Sequence, residues 1–403
     1  MNSQTKTTSM TPHSPDLQRL DDILALQKYA YQRHPVPSAK ERIERLARLK
    51  RVIVKYQDQF AEAINRDYGN RAIAETKIGE LLTCLEHIKY YSKNLTDWMK
   101  PSKRQVGIIH QPAKAWVQYQ PLGVIGIIAP WNYPLLLSLG PLICALAAGN
   151  HAMIKISSAS AHFGKVLENA MSEAFPQELV AVINGGGIIS DAFCHLPFDK
   201  IIFTGSTQVG KTVMAAASQN LVPVILELGG KSPVLVHPSS DMVDVAQRIA
   251  VGKLWNAGQT CVAPDYMFLP KGKTAEFMEH FEQFVTEMYP HIRDNQDYTS
   301  IINDKQYRRL QGYLEDARER GANIIEINPQ SENVAATRKM APTVLTNVSP
   351  DMQIMQNEIF GPVLPILEYE QIDDVIEFIN SRPRPLALYY FDFDQARADY
   401  VAQ

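Results

Sequence analysis

The sequence predicts an α/β protein in which helices lead into a doubly wound, parallel-sheet domain of the dinucleotide-binding type, followed by a second α/β domain. Three observations carry this: a long amphipathic stretch in the first part, a change of texture after Pro101, and apolar runs alternating with helical or turn segments from Gly123 onward. With 403 residues, 45% hydrophobic and 21% charged, the chain can bury a sizeable core and form two or three domains.

Met1 to Asp16 is rich in Ser, Thr and Pro and has no apolar h-region, so it reads as a disordered tail and not as a signal peptide. From Ala39 to about Arg66, the residues Ile43, Leu46, Leu49, Ile53, Phe60 and Ile64 recur at steps of three, four or seven, the spacing of an amphipathic helix. Arg42, Arg45, Arg48 and Arg51 interleave with Glu41 and Glu44, and so read as a solvated face. After Pro101, Val106–His110 and Trp116–Tyr119 look like a hairpin joined through Gln-Pro-Ala-Lys.

Gly123–Ala129, Ala152–Ile156, Val180–Asn184, Lys200–Phe203 and Val222–Leu226 are apolar strand candidates, and their alternation with helices builds a parallel sheet. From Lys231 the style repeats, with strands at Pro233–Val236, Tyr266–Leu269, Asn323–Ile327 and Leu386–Phe391, and helices such as Thr274–Glu287 and Ile372–Ile379. The expected division places the helices, hairpin and dinucleotide-binding domain in 17–227 and a catalytic domain in 228–403.

A net charge of −3 provides no long-range attraction for nucleic acid or anionic lipid, which leaves a small molecule as the partner. Cys84, Cys144, Cys194 and Cys261 form no CxxC pair and no Cys/His cluster at metal-ligand spacing, so neither a metal site nor a disulfide framework is indicated and a reducing cytoplasm is expected. The apolar stretch Gly123–Gly149 is not a membrane span. Pro130, Asn132 and Pro134 split it into a strand and a helix of about 15 residues, roughly 22 Å long, too short to cross a bilayer.

Five segments can carry chemistry, and each also has a structural reading. No G-x-G-x-x-G follows the first strand; instead Phe203-Thr-Gly-Ser-Thr-Gln-Val-Gly210-Lys places Gly205 and Ser206 where a strand meets a helix. Free N–H groups there favour phosphate oxygens, although such turns also use Gly and Ser structurally. In Leu226-Glu227-Leu-Gly-Gly-Lys231 a carboxylate lies in an apolar run, where desolvation would raise its pKa towards that of a useful base; alternatively it is exposed at a strand end. Asn256-Ala-Gly-Gln-Thr-Cys261 is small and polar enough for close approach to its thiol, whereas Cys84, Cys144 and Cys194 read as structural. Asn132 stands in Pro130-Trp-Asn-Tyr-Pro134, a rigid setting of the kind an oxyanion donor needs. Glu358, in Glu358-Ile-Phe-Gly-Pro362, can accept bonds from sugar hydroxyls or sit in solvent.

Together and in this order, the five segments resemble the aldehyde dehydrogenase superfamily over nearly the whole chain, with Cys261 of the GQxC segment 34 positions after Glu227 of the LELGGK segment. The resemblance implies an aldehyde dehydrogenase-like fold and oxidation of an aldehyde to its acid with NAD or NADP. Carried over by position, it makes Cys261 the nucleophile, the Asn132 amide and the Cys261 backbone N–H the oxyanion donors, and Glu227 the base that activates water. It also places Ile128 and Trp131 beside the cofactor, Gly205 and Ser206 at its pyrophosphate, Lys155 and Ser158 at the adenosine ribose, Glu358 at the nicotinamide ribose, and Phe360 against the nicotinamide.

The Asn184-Gly-Gly-Gly187 connection and the Cys261-Val-Ala-Pro-Asp-Tyr266 continuation resemble the class 3 branch, which handles aromatic and medium- to long-chain aldehydes, and the amino-terminal region resembles bacterial coniferyl aldehyde dehydrogenases. Where many members have a glutamate that repels a 2′-phosphate, Ser158 stands here, so NADP is expected to be accepted at least comparably with NAD. Asp394 looks like an N-cap, yet the chain stops nine residues later, which reads as a cut terminus. The resemblance implies a further glycine-rich loop and a strand used in a homodimer. Two rival outcomes share these features: transfer of the thioester to coenzyme A, and a non-catalytic dinucleotide-binding protein.

Overall fold

A computed structural model describes residues 15–403. Most of the expected tail lies outside the described residues, but Pro15 and Asp16 already belong to helix α1 (Pro15–Arg33). Helix α2 (Ala39–Tyr68) starts at a Ser38/Glu41 capping box and ends at Gly69, whose φ of 80° suits a residue without a side chain. It buries Leu46, Leu49, Ile53, Phe60 and Ile64, the stripe legible from their spacing. The basic face is only partly solvated. Arg48 and Arg51 are exposed, but Arg42 is buried and caps carbonyls at the end of a later helix, donating to Ala147 O and Ala148 O at 3.3 and 2.8 Å. Helix α3 (Ile73–Thr76) continues through a π turn at Lys77–Leu82 into α4 (Thr83–Trp98).

The expected hairpin forms, but its first strand is displaced. β1 (Ser102–Arg104) pairs antiparallel with β2 (Ala115–Val117), while Ile108–His110 makes a 3₁₀ turn and not a strand. Ile108 and Ile109 are exposed, so apolar character did not mark sheet there.

The next segment is regular: β3 (Val124–Ile128), α5 (Pro134–Ala148), β4 (His151–Lys155), α6 (Ala161–Ala174), β5 (Val180–Ile183), α7 (Gly187–Cys194), β6 (Lys200–Gly205), α8 (Thr207–Ser218) and β7 (Val224–Leu228). The sheet order is β5-β4-β3-β6-β7 with every pair parallel. Ile125, Ile127, Ile154 and Val182 face one core, shared with α2, α4, α5 and α6, while Val124, Met153, Ala181 and Ile201 face another, under α1, α7 and α8. Burial on both faces is why these strands read as continuous apolar runs.

The second sheet is built from β8 (Pro233–Val236), α9 (Met242–Leu254), β9 (Tyr266–Pro270), α10 (Thr274–Met288), α11 (Asp304–Glu319), β10 (Asn323–Glu326), β11 (Thr343–Thr346), α12 (Gln353–Gln356), β12 (Val363–Tyr369), α13 (Ile372–Asn380), β13 (Tyr389–Phe391) and α14 (Gln395–Ala402). Its order is β10-β11-β12-β9-β8-β13, antiparallel only at the β10–β11 edge. β11 and β12 were not legible from the sequence; β12 lies inside the sheet and runs unbroken through Pro365, a residue rare in central strands. Asp394 does cap α14, accepting from Arg397 N at 3.0 Å.

Candidate active site

Strand order places the site. β3 and β6 are neighbours whose following connections run to opposite sides of the sheet, and ligands bind such sheets outside the carboxyl ends of the strands at that switch point. Ile128 ends β3, Lys155 ends β4 and Gly205 ends β6, with Ile128 in register with both Lys155 and Phe203, and Thr204 with Glu227. Ser206 caps α8, accepting from Val209 N at 3.4 Å. Lys155 is buried, donates to Ile156 O and Gly185 O at 2.6 and 2.9 Å, and is pushed down to about 8 by that burial. Ser158 is exposed at the start of a 3₁₀ turn (Ser158–Ser160) just beyond β4.

From the other side come the loops that precede strands of the second sheet. After α9 the backbone turns through Asn256, Ala257 and Gly258 with φ of 53°, 50° and 71° before reaching Cys261. Gly258 has no alternative: a Cβ there would stand 2.3 Å from the Gly361 carbonyl oxygen. Cys261 is half-buried, and burial, followed by the charge of Glu358 and more weakly that of Glu227, raises its pKa. The backbone N–H groups of Cys261 and Val262 work in the opposite direction, favouring the thiolate.

Asn132 is buried, and its side-chain amide donates to Gln259 O at 3.2 Å, two residues before the thiol. Next to it, Tyr133 Oη and Thr260 Oγ1 are 2.7 Å apart. Asn256 Nδ2 donates to Gln259 O (3.1 Å) and Asn132 O (3.2 Å), while Gln259 Nε2 donates to Asn256 O (3.0 Å) and Ser300 O (3.1 Å). These bonds hold the left-handed turn from within.

Glu358 reaches back across the Gly229-Gly230 turn and accepts from Gly230 N at 3.3 Å. A side chain at Gly229 would collide with it, which gives that glycine its reason. Burial, then repulsion from Asp265, pushes Glu358 up to about 7. Lys231 pairs with Asp265 and donates to Ile354 O and Asn357 O at 2.8 and 2.9 Å, while Asp265 accepts from Ile359 N at 2.9 Å. One buried ion pair thus ties together the loops of Glu227, Cys261 and Glu358. Phe360, with φ of 52°, stands edge-on to Trp131 at 5.3 Å between ring centroids. Beside the Cys261 loop lies a cavity of about 630 Å³ lined in part by Trp255, Thr260, Val262, Tyr389 and Phe391, and the Tyr389 hydroxyl donates to the Val262 carbonyl.

A family model described as "Aldehyde dehydrogenase family" matches residues 1–403. The chain belongs to the aldehyde dehydrogenase family. Among its relatives, it is 48% identical over 386 residues to a probable coniferyl aldehyde dehydrogenase of Pseudomonas aeruginosa, a match that spans 96% of this chain and 80% of the relative. Among solved structures it is similar to the substrate-bound AldH of Staphylococcus aureus (TM-score 0.89, 37% identity, 95% of this chain and 82% of the other). It is also similar to a Mycobacterium tuberculosis aldehyde dehydrogenase complexed with NAD+ (TM-score 0.86, 26% identity, 96% and 80%).

Of the two readings of Glu227 in this aldehyde dehydrogenase, exposure at a strand end is the one found, on β7, the outer strand of its sheet. Among the other cysteines, Cys84 and Cys194 are buried, while Cys144 is exposed on α5, 2.9 Å from the Tyr91 hydroxyl. Gln259, Lys231 and Asp265 lay in or beside recognised segments without being marked. Arg71, Glu75 and Glu80 are fully or nearly fully buried against the site, and nothing in their sequence neighbourhood separates them from ordinary helical charges.

Proposed function

We propose that this chain oxidises an aldehyde to its carboxylic acid through a covalent adduct on Cys261, using NAD or NADP. The observation that carries this is the Asn132 amide tied to the Gln259 carbonyl beside a half-buried thiol that feels both Glu227 and Glu358. The Cys261 sulfur adds to the aldehyde carbon, and the resulting oxyanion is held by the Asn132 amide and the Cys261 backbone N–H, donors already fixed before reaction. A bound nicotinamide dinucleotide supplies the hydride acceptor that turns this adduct into a thioester. Glu227, exposed to solvent, takes a proton from the water that cleaves the thioester, releasing the acid and restoring the thiol.

The residues at the switch point suit that dinucleotide. The Ser206-capped amino terminus of α8 would offer N–H groups to a pyrophosphate, Gly205 would let it approach, and Lys155 and Ser158, at and just beyond the end of β4, would hold the adenosine ribose. Trp131 and Phe360, in edge-on ring contact, and Ile128 at the end of β3 offer apolar surface to the cofactor, and the Glu358 carboxylate suits its ribose hydroxyls. The similarity to a probable coniferyl aldehyde dehydrogenase supports an aromatic aldehyde as the substrate.

Rapid mixing with NAD and coniferyl aldehyde tests the proposal. A burst of reduced cofactor close to one per chain, lost in Cys261→Ala, is expected; cofactor binding with no burst would show a binding protein instead. Product analysis should find free acid without added coenzyme A. Because Ser158 carries no charge to repel a 2′-phosphate, kcat/KM with NADP should come within about tenfold of that with NAD, and a hundredfold preference for NAD would refute that part.

The quaternary and cellular setting forms part of the proposal. The hairpin exposes Trp116, and Ile108 and Ile109 between its strands are 88% and 85% exposed, apolar surface suited to a homodimer contact and measurable by light scattering. Four unpaired cysteines suit a reducing cytoplasm, and among the described residues no helix is long and apolar enough to cross a membrane.

A further inference from the structure

The Asn132 side chain can act as an oxyanion donor only if its backbone is held, and Pro130-Trp-Asn-Tyr-Pro134 joins a strand to a helix with little hydrogen bonding of its own. The Asn132 carbonyl is instead gripped from outside. Arg71 Nη1 donates to it at 2.9 Å, Tyr68 Oη at 3.0 Å and Asn256 Nδ2 at 3.2 Å. Arg71 has no exposed surface, and its guanidinium lies 4.9 Å from the Tyr133 ring and 5.2 Å from that of Tyr68.

Its partner completes the grip. Glu80, on the π turn and equally buried, pairs with Arg71 at 3.0 Å and accepts from Leu135 N and Leu136 N at 2.8 and 3.0 Å, the first free donors of α5. The ion pair therefore holds the Asn132 loop at the residue itself and at the helix it enters. Asn256 joins this grip to the nucleophile turn, and Glu75 accepts from Asn256 N at 3.1 Å, so the amino-terminal region reaches both halves of the site.

We propose that Arg71 and Tyr68 are positioning residues for the aldehyde reaction: they clamp the Asn132 carbonyl so that its side-chain amide stays aimed beside Cys261. Neither touches the thiol. The inference rests on Asn132 being the oxyanion donor. Rotating that peptide would carry the amide away from Gln259 O, and misplacement on the scale of an ångström costs on the order of a hundredfold in rate.

The test measures kcat, aldehyde KM, cofactor binding by fluorescence and the thermal midpoint for the full chain, with Arg71→Lys, Tyr68→Phe, Asn132→Ala and each clamp variant combined with Asn132→Ala. Arg71→Lys keeps a charge opposite Glu80 but loses the planar fork. Each clamp variant is expected to lower kcat by about 10- to 100-fold with KM and cofactor affinity within about threefold. Each should cost less than about twofold more in the Asn132→Ala background, because coupled residues are not additive. Equal losses in both backgrounds, or unchanged kcat in Tyr68→Phe, would overturn the clamp, and Tyr68→Phe decides the matter alone if Arg71→Lys does not fold. Unchanged kcat in Asn132→Ala would instead overturn the oxyanion assignment itself.

Discussion

At Cys261 two opposing influences meet. Burial and the carboxylate of Glu358 raise the thiol pKa, and adjacent backbone N–H groups lower it, with the raising effects winning. A raised pKa keeps sulfur protonated at neutral pH, so without cofactor the alkylation of Cys261 by iodoacetamide should speed up with rising pH and reach half its maximum above the ordinary thiol range. The exposed Cys144 should be replaced by Ser first, and a midpoint below that range would contradict the expectation. The proposed nucleophile and base were picked out from the GQxC and LELGGK segments. Their environment was not: Glu227 lies in an apolar run yet is exposed, because strand order and not local composition puts β7 at an edge.

The elements show the same division. Helix α2 could be placed from its apolar spacing alone, since a 3.6-residue period names the buried face directly. The first strand of the hairpin could not, because three residues are too few for alternation to register and Ile108–His110 resembles a strand while being a turn. The turn before Cys261 is the element most open to test. Gly258→Ala forces a side chain into a left-handed backbone and against Gly361 O, so it should cost more than about 1 kcal/mol of stability and also lower kcat. Thermal unfolding and steady-state rates measure both, and an unaffected Gly258→Ala enzyme would show that the turn is more plastic than its contacts imply.

At the scale of the molecule, the segments that follow β3 and β7 meet loops that enter β9 and β12. The Lys231–Asp265 pair stands at that junction, with side-chain exposures of 13% and 4%. Asp265→Asn preserves the acceptor for Ile359 N but leaves a largely buried ammonium without its counter-charge. A loss on the order of 3 kcal/mol in urea denaturation is expected, and a loss under about 1 kcal/mol would argue that water or Glu358 substitutes for Asp265.

Local order in the chain was enough for the parallel strands of the first sheet, the long helix and the chemical segments, since periodicity, turn residues and motif spacing act over a few positions. The clamp on Asn132 was beyond reach of such reasoning. Arg71 and Glu80 are separated from it by 61 and 52 positions, and a charged residue in a helical region shows no sign of being buried until another element folds over it. Desolvation depends on what packs against a group, so exposure of Glu227, burial of Arg42 and the raised pKa of Glu358 all followed from tertiary contacts.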